Sequence, residues 1–273
     1  MVVVGLYPFQ WAAQSVGGDD VVVVSLTQPG ADPHDAELSA TQVKQLANAD
    51  LVVFLPGMQA ATDKAIVNTV PKRLLNVADV VQLSALPGTK QVGAVGDPSS
   101  GLDPHVWLDP ARMVAIVSAL SQELAQVDPA HAAGYSSRAA TVIADLQRLD
   151  TEYATGLAQC EIVTFVPSHA AFGYLAQRYG LIQVPISGLA PDIEPSPARL
   201  ANVRRIAQET SVNTIFFETL SSPALAETLA DDLGLLTSVL DPIEGITDAS
   251  AASDYLGVMR ANLQALREAN NCR

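Results

Sequence analysis

The chain has few of the residues that mark specialised classes of protein. Only 15 of its 273 residues are lysine or arginine, against 29 aspartates and glutamates, so the formal net charge is −14. A chain this acidic is not expected to bind nucleic acid, because phosphate groups require a basic face. Aromatic residues make up only 5% of the chain, but hydrophobic residues make up 49%, which is ordinary for a globular α/β protein.

Long hydrophobic runs are also lacking. No segment reaches the roughly 18 apolar residues that a membrane-spanning helix requires. The first seven residues, from Met1 to Tyr7, lack the basic start of a secretory signal and are predicted to form a strand instead. We therefore expect a globular chain from which any export leader is absent.

Cysteine is nearly absent, since Cys160 and Cys272 are the only two. In an oxidising compartment they would pair and tie the C-terminus to the start of the second half of the chain. Closing a loop of about 100 residues would stabilise the fold by up to about 4–5 kcal/mol in the chain-entropy model. The alternative is two unrelated reduced thiols. We expect the disulfide, because no second motif gives either cysteine a metal or catalytic role.

What the sequence does contain is an alternation of strand-like and helix-like segments. Ser39 is a good N-cap for a helical pattern, and Asp109-Pro110 begins another helix. In the second half, Gly180 ends a predicted helix, and Ser196 begins the next one before a proline. A final helix is predicted from Ser250. Runs rich in β-branched residues predict strands at 2–7, 21–26, 51–55, 162–166, 181–186, 214–217 and 236–240.

One uninterrupted helical segment joins the two halves. No glycine or proline occurs from Tyr135 to Thr155, and a helix of about 28 residues would span about 42 Å. The sequence therefore predicts an α/β fold of two lobes, each a small, mainly parallel sheet flanked by helices. The lobes are residues 1–127 and 159–273, and the linking helix is 128–158. Ligands of such sheets bind outside the carboxyl ends of the strands, here in the cleft between the lobes.

Three of the four histidines, His34, His105 and His169, occupy loops beside predicted strands, and Asp241 ends the last strand. Imidazole nitrogens and one carboxylate form the ligand set of a tetrahedral zinc site. Taken singly, each residue is weak evidence, because loop histidines are commonly solvated and Asp-Pro is a common turn. The repeat of Asp-Pro-His at His34 and His105 makes coincidence a poorer explanation.

Glu218, at the end of the predicted strand 214–217, is a reserve ligand. The preferred interpretation is that its carboxylate orients a ligand histidine, as metal sites commonly require. His131 is interpreted as an exposed helical residue without a role.

Together these segments resemble the substrate-binding proteins of zinc and manganese ABC transporters, the TroA-like helical-backbone metal receptors. The resemblance implies that His34, His105, His169 and Asp241 bind the metal, and that two α/β lobes are hinged on one long helix. The matching segments are Pro-Gly-Ala-Asp-Pro-His-Asp at 29–35, Asp-Pro-His-Val-Trp-Leu-Asp-Pro at 103–110, Ser-His-Ala-Ala-Phe-Gly-Tyr-Leu at 168–175, Arg-Tyr-Gly-Leu at 178–181, Ile-Phe-Phe-Glu at 215–218 and Leu-Asp-Pro at 240–242.

The chain departs from the family pattern in one loop and differs from the manganese members at one ligand. Zinc members often carry a histidine-rich loop before the second ligand, whereas residues 86–101 contain no histidine. An auxiliary metal-collecting loop is therefore not expected, although the glycines of this segment favour a mobile flap. Manganese members often have glutamate where His169 stands. Three nitrogens and one carboxylate favour Zn²⁺ over Mn²⁺, which prefers oxygen ligands.

The resemblance implies a non-catalytic receptor that captures Zn²⁺ outside the cytoplasm and delivers it to an ABC transporter permease. We expect a monomer, either periplasmic or lipid-anchored to the outer face of the membrane, with a metallochaperone as a second candidate partner. The alternatives are a manganese receptor of the same family, an adhesin-like surface lipoprotein, and a zinc-dependent hydrolase with Glu218 as its base. The hydrolase is disfavoured because four protein ligands leave no position for an activated water. The sequence also contains neither His-Glu-x-x-His nor a nucleophile elbow.

Overall fold

The computed structural model describes residues 1–85, 102–191 and 194–273. In these residues strands and helices alternate, which confirms the predicted α/β class. The chain divides into two compact units. Unit 1 comprises Met1–Leu83, Pro110–Arg148 and Ile243–Asp248, and unit 2 comprises Ser84–Asp109, Leu149–Pro242 and Ala249–Arg273.

The sheet of unit 1 has four parallel strands in the order β2-β1-β3-β4. In the register of the central strand, Val3 lies opposite Val24 on one side and Val52 on the other. Every residue of β1 and β3 is buried, so these strands are continuous apolar runs, as strands covered on both faces must be. The strands are β1 Val2–Val4, β2 Val23–Ser25, β3 Leu51–Phe54 and β4 Leu74–Asn76.

Five helices of unit 1 surround this sheet or connect its strands: α1 Tyr7–Gly17, α2 Ala40–Asn48, α3 Ala60–Thr69, α4 Val77–Val80 and α5 Pro110–Val127. The predicted N-cap of α2 is confirmed, because the Ser39 hydroxyl accepts from the Gln42 N–H and the Gln42 side chain accepts from the Ser39 N–H. Helix α1 was not predicted. It begins where the predicted strand 2–7 was expected to end, and Pro8 suits its first turn.

The long helix α6 spans Ala132–Gly156 and follows a 3₁₀ turn at Pro129–His131. Its 25 residues correspond to about 37 Å, so the predicted long helix is confirmed, with its first turn tightened. The boundary between the units falls inside it, between Arg148 and Leu149. None of the described helices combines the length and the apolar character that a membrane span requires.

The strands of unit 2 form two parallel pairs, β5–β6 and β7–β8. A parallel bridge between Val166 and Ile215 connects β5 to β7, so the strands follow the order β6-β5-β7-β8. Because all four strands run in one direction, their carboxyl ends share one edge. The strands are β5 Thr164–Phe165, β6 Ile182–Gln183, β7 Thr214–Phe217 and β8 Leu236–Val239.

The helices of unit 2 are α7 Gly173–Tyr179, α8 Pro197–Glu209, α9 Ala224–Leu233 and α10 Tyr255–Ala269. The predicted helix end at Gly180 is confirmed by its left-handed φ of 73°, and Ser196 caps α8 as expected. The prediction that Ser250 caps the last helix was wrong. Asp254 is the cap, since its side chain accepts from the Gly257 N–H, and the Ser250 hydroxyl lies 3.4 Å from Asp241 Oδ2.

Cys160 and Cys272 form the expected disulfide, across 112 residues of sequence. The two cysteines also face each other in an antiparallel bridge, and the Arg273 N–H donates to the Gln159 carbonyl at 3.0 Å. The end of the chain after α10 is thereby fastened to the segment that follows α6.

A charged cluster fastens α6 to α7 within unit 2. Arg178 donates two hydrogen bonds to Asp150, each of 2.6 Å, and the Tyr179 hydroxyl donates a third of 2.8 Å. The Arg178 guanidinium is the main reason that the pKa of Asp150 lies below its usual value, although partial burial opposes this shift. The folded state therefore favours the ionised carboxylate.

Replacing Asp150 by asparagine is expected to lower the free energy of unfolding by about 1–3 kcal/mol at pH 7, the usual range for charge-assisted hydrogen bonds. Because the folded pKa is lowered, this stabilisation is present above the unfolded value of about 3.9 and is lost as the pH falls through the folded value. Urea unfolding of the wild type and of Asp150→Asn should show that the difference between their free energies of unfolding narrows below about pH 4. Asp145→Asn, which breaks an exposed pair with Arg148 on the same helix, should change little. If the difference in free energy of unfolding between the wild type and Asp150→Asn did not depend on pH, it would not arise from the ionised Asp150 carboxylate.

Candidate metal centre

The repeated Asp-Pro-His motif forms the same local turn at both of its occurrences. The His34 N–H donates to Asp32 Oδ1 at 2.8 Å, and the His105 N–H donates to Asp103 Oδ1 at 2.9 Å. An aspartate that binds the backbone two residues ahead closes a tight turn, and the intervening proline restricts that backbone further. The motif is therefore a rigid turn that presents an imidazole.

Unit 2 brings two of the predicted ligands, His105 and His169, into direct proximity. Their Nε2 atoms lie 3.3 Å apart, and both rings are completely buried. His105 belongs to the turn just described, whereas His169 lies in the loop that follows β5. The two histidines are 64 residues apart in the sequence, so the fold of unit 2 creates this pair.

A carboxylate lies behind each of these two rings. Asp103 Oδ1 is 2.8 Å from His105 Nδ1, and Glu218 Oε1 is 2.6 Å from His169 Nδ1. An ionised carboxylate only accepts hydrogen bonds, so each Nδ1 is assigned the proton and each Nε2 is left with a lone pair. The contact between Glu218 and His169 is the one expected of a carboxylate that orients a ligand histidine. The role of Asp103 was not predicted, although its place two residues before a histidine is a signal that could have indicated it.

The sheet of unit 2 explains how Glu218 reaches His169. Glu218 directly follows β7, and β7 is joined to the β5 segment by the bridge between Val166 and Ile215. Residues at the carboxyl ends of neighbouring parallel strands meet at one edge of a sheet. The Ser168 hydroxyl also donates to Glu218 Oε1, which further fixes the buried carboxylate.

The spacing of the two Nε2 atoms has a chemical consequence. Two lone pairs that face each other across 3.3 Å cannot form a hydrogen bond with each other. Ligands at about 2.0–2.1 Å from a tetrahedral zinc ion are separated by about 3.3 Å, the edge of the tetrahedron. The separation of the His105 and His169 Nε2 atoms therefore equals the distance between two ligands of one such ion.

Unit 1 contains a second pair with the same spacing. His34 Nε2 lies 3.3 Å from Glu244 Oε1, and both side chains are largely buried. A protonated Nε2 of His34 can donate to the Glu244 carboxylate. The separation of the two atoms also equals the distance between two ligands of a tetrahedral zinc ion. Glu244 was missed at the sequence level. It lies in an irregular segment, where no periodic pattern marks a side chain that faces a histidine 210 residues earlier.

Asp241 lies at the end of β8, where the sequence predicts it. Its Oδ2 atom accepts from the Thr219 hydroxyl at 2.9 Å, and its backbone N–H donates to Asn262. These contacts join Asp241 to other residues of unit 2.

The fourth histidine, His131, lies in the 3₁₀ turn before α6 with half of its side chain exposed. Its Nδ1 donates to Asp128 at 2.6 Å, and this hydrogen bond is the main reason that the pKa of His131 is raised. A histidine on this surface is suited to serve as a control in tests of zinc binding. The flap expected at residues 87–101 lies outside the described residues.

Comparison with protein-family models shows one match over nearly the whole chain. A family described as the periplasmic component A of a zinc-uptake complex, ZnuA, matches residues 2–269. The zinc-binding lipoprotein AdcA of Streptococcus pneumoniae is 37% identical over 277 residues, which cover 98% of this chain and 55% of that protein. The high-affinity zinc uptake system protein ZnuA of Bacillus subtilis is 32% identical, covering 98% of this chain and 86% of that protein. The chain thus spans about half the length of the AdcA proteins that it matches.

Solved structures with the same fold include metal-bound relatives. The Zn(II)-bound ZnuA-like domain of S. pneumoniae AdcA is 36% identical, with a TM-score of 0.82 and coverage of 99% of this chain and 98% of that one. The laminin-binding protein Lmb of Streptococcus agalactiae, described as having adhesin and metal-transporting activity, is 28% identical. Its TM-score is 0.85, and the match covers 98% of each chain.

Proposed function

Because the chain belongs to the ZnuA family of zinc-uptake components, we propose that it captures Zn²⁺ outside the cytoplasm and delivers it to an ABC transporter permease. The observation that carries this proposal is the pair of buried Nε2 atoms of His105 and His169, which face each other at 3.3 Å. Two lone pairs held at this distance by carboxylates behind the rings call for a cation between them.

The proposed zinc ligands are His34, His105, His169 and Glu244. A tetrahedron has pairs of opposite edges, and two opposite edges together include all four of its corners. The His105–His169 pair supplies one edge of 3.3 Å and the His34–Glu244 pair supplies another of the same length. We propose that both pairs close on one ion, with Glu244 rather than Asp241 as the carboxylate ligand.

The ligand set favours a zinc receptor over both a manganese receptor and an enzyme. Three imidazoles and one carboxylate suit Zn²⁺, whereas Mn²⁺ prefers more oxygen ligands. Four protein ligands fill a tetrahedral coordination sphere and leave no position for the activated water of a hydrolase. Glu218, the candidate base of such an enzyme, instead accepts from His169 Nδ1. Zinc is therefore cargo in this proposal, and the receptor acts as a monomer that performs no chemistry.

Zinc titration of the chelator-stripped protein tests the proposal. We expect one tight site per chain when the protein competes with a chromophoric chelator, and weaker binding of Mn²⁺. Binding that is absent, or that requires millimolar zinc, would refute the receptor function. Metal-dependent turnover in panels of esters and phosphoesters would revive the hydrolase alternative.

Comparing two carboxylate variants tests which acidic residue binds the ion. Glu244→Gln is expected to weaken zinc binding by about 100-fold or more, because it removes a charged ligand and not just an orienting contact. Asp241→Asn should instead lower stability, because Asp241 Oδ2 accepts from the Thr219 hydroxyl, and leave zinc affinity within several-fold of the wild-type value. Competition titration and urea unfolding of both variants provide the measurement. The reverse ranking of affinities would identify Asp241 as the ligand, in agreement with the family resemblance.

A further inference from the structure

The backbone that leads from β8 to Glu244 is fixed at successive residues by buried side chains. The Asn262 side chain accepts from the Asp241 N–H at 2.9 Å and donates to the Asp241 carbonyl at 2.7 Å. At the next residue, the indole Nε1–H of Trp107 donates to the Pro242 carbonyl at 2.7 Å. Pro242 is the last residue of unit 2 before the chain enters unit 1 at Ile243.

Ile243, which follows this fixed carbonyl, has an unfavourable backbone conformation. Its φ is 58°, in the left-handed region that a β-branched residue rarely adopts, and its side chain is completely buried. Such a conformation persists only where the surroundings determine it, and it is characteristic of functional sites. The Pro242 carbonyl belongs to the peptide group that precedes Ile243. Its orientation therefore helps to set the direction in which the chain continues to Glu244.

Trp107 is well suited to hold that peptide group. Its side chain is completely buried, and its backbone carbonyl accepts from the Tyr255 hydroxyl. The indole offers one donor and no acceptor, so its buried N–H requires a fixed acceptor such as this carbonyl. Trp107 also follows His105 by two residues, with the two ring centroids 5.2 Å apart.

From these contacts we infer that Trp107 is a positioning residue for zinc capture. Its indole N–H fixes the Pro242–Ile243 peptide group and so determines where the Glu244 carboxylate is presented. The short segment that carries the ligand His105 thereby also positions a second ligand, through the backbone. This inference rests on the proposed function, because it concerns a ligand of the proposed zinc ion.

The variant that tests the inference is Trp107→Phe, which keeps an aromatic ring and removes the N–H. Zinc affinity is expected to fall by about 10–100-fold, the range for loss of a group that orients a ligand. Because Trp107 acts through Glu244, the substitution should cause almost no further loss in a Glu244→Gln background. In a Glu218→Gln background, which affects His169 instead, the full loss should remain. Competition titration of the single and double variants measures these differences.

A spectroscopic readout separates positioning from a general loss of stability. The visible spectrum of the Co²⁺-loaded Trp107→Phe variant is expected to match that of Glu244→Gln and to differ from that of the wild type. Tyr153→Phe is the matched control, because Tyr153 also donates one buried hydrogen bond to a main-chain carbonyl of unit 2, that of Met259. This control should be less stable but should keep the wild-type spectrum and zinc affinity.

Should Trp107→Phe fail to fold, β-(3-benzothienyl)alanine at position 107 removes the N–H and keeps the size of the ring system. The inference is overturned if either variant binds zinc within threefold of the wild-type affinity. It is also overturned if the loss is equally large in the Glu244→Gln and Glu218→Gln backgrounds. A wild-type protein that binds no zinc would instead refute the proposed function itself.

Discussion

Alanine at position 105 or 169 is expected to lower zinc affinity by about 1,000-fold or more, equivalent to about 4 kcal/mol of binding free energy. Each substitution removes one of the two Nε2 atoms that face each other at 3.3 Å. Each substitution also removes the imidazole N–H that donates to a buried carboxylate, that of Asp103 for His105 and that of Glu218 for His169. The remaining histidine of the pair can no longer form an edge of the zinc tetrahedron. Competition titration with a chromophoric chelator measures the loss.

Two further variants make this result specific. Glu218→Gln should weaken zinc binding by about 10–100-fold, because the native Glu218 carboxylate orients His169 without itself binding the ion. His131→Ala should leave zinc affinity unchanged, because this half-exposed histidine pairs with Asp128 and is not among the proposed ligands. If Glu218→Gln caused a larger loss than His169→Ala, the assignment of His169 as ligand and Glu218 as orienting group would have to be exchanged.

Replacing both Cys160 and Cys272 by serine is expected to lower the free energy of unfolding by about 2–5 kcal/mol. The disulfide closes a loop across 112 residues, and the chain-entropy model assigns about 4.7 kcal/mol to a loop near this length. Without the crosslink, the unfolded chain of the variant has more conformational entropy, which favours unfolding. Urea unfolding of the zinc-free protein should show the difference as a lower midpoint with a clear cooperative transition.

The redox dependence of the unfolding midpoint provides the control for this prediction. Dithiothreitol should lower the midpoint of the wild-type protein to that of the double serine variant and should not affect the variant itself. Zinc-free samples are required, because a bound ligand adds its own stabilisation to the folded state. Equal midpoints for the oxidised wild type and the variant would show that the crosslink contributes nothing to stability.

Local signals along the chain predicted most of the elements. Ser39 binds the backbone and side chain of a glutamine three residues later, so its cap requires no distant partner. Gly180 ends α7 because glycine adopts the left-handed conformation at little cost. The ends of β7 at Thr214 and Phe217 coincide with those predicted, because a short apolar run between polar segments marks a buried strand. The absence of glycine and proline from Tyr135 to Thr155 predicted the long helix. The family motifs indicated three histidines as ligands.

Predictions that depend on distant partners succeeded less well. Ser250 has the chemistry of a helix cap, but its hydroxyl lies near Asp241, and Asp254 caps α10 instead. Helix α1 was overlooked because its apolar first residues continue the pattern of the strand before it. Asp241 and Glu244 both follow β8 within a few positions, so local sequence patterns do not distinguish them as carboxylate ligands.

The sequence by itself therefore determined the class of fold, the family, the disulfide partners and the histidines worth testing, because caps, turns, periodicity and motifs are local properties. Only the tertiary structure decided that His105 and His169 face each other, that Asp103 and Glu218 lie behind them, and that His34 has Glu244 as its neighbour. These contacts join residues that, apart from Asp103 and His105, are tens to hundreds of positions apart. They arise from strand order and from the path of the backbone, neither of which is encoded within a single segment.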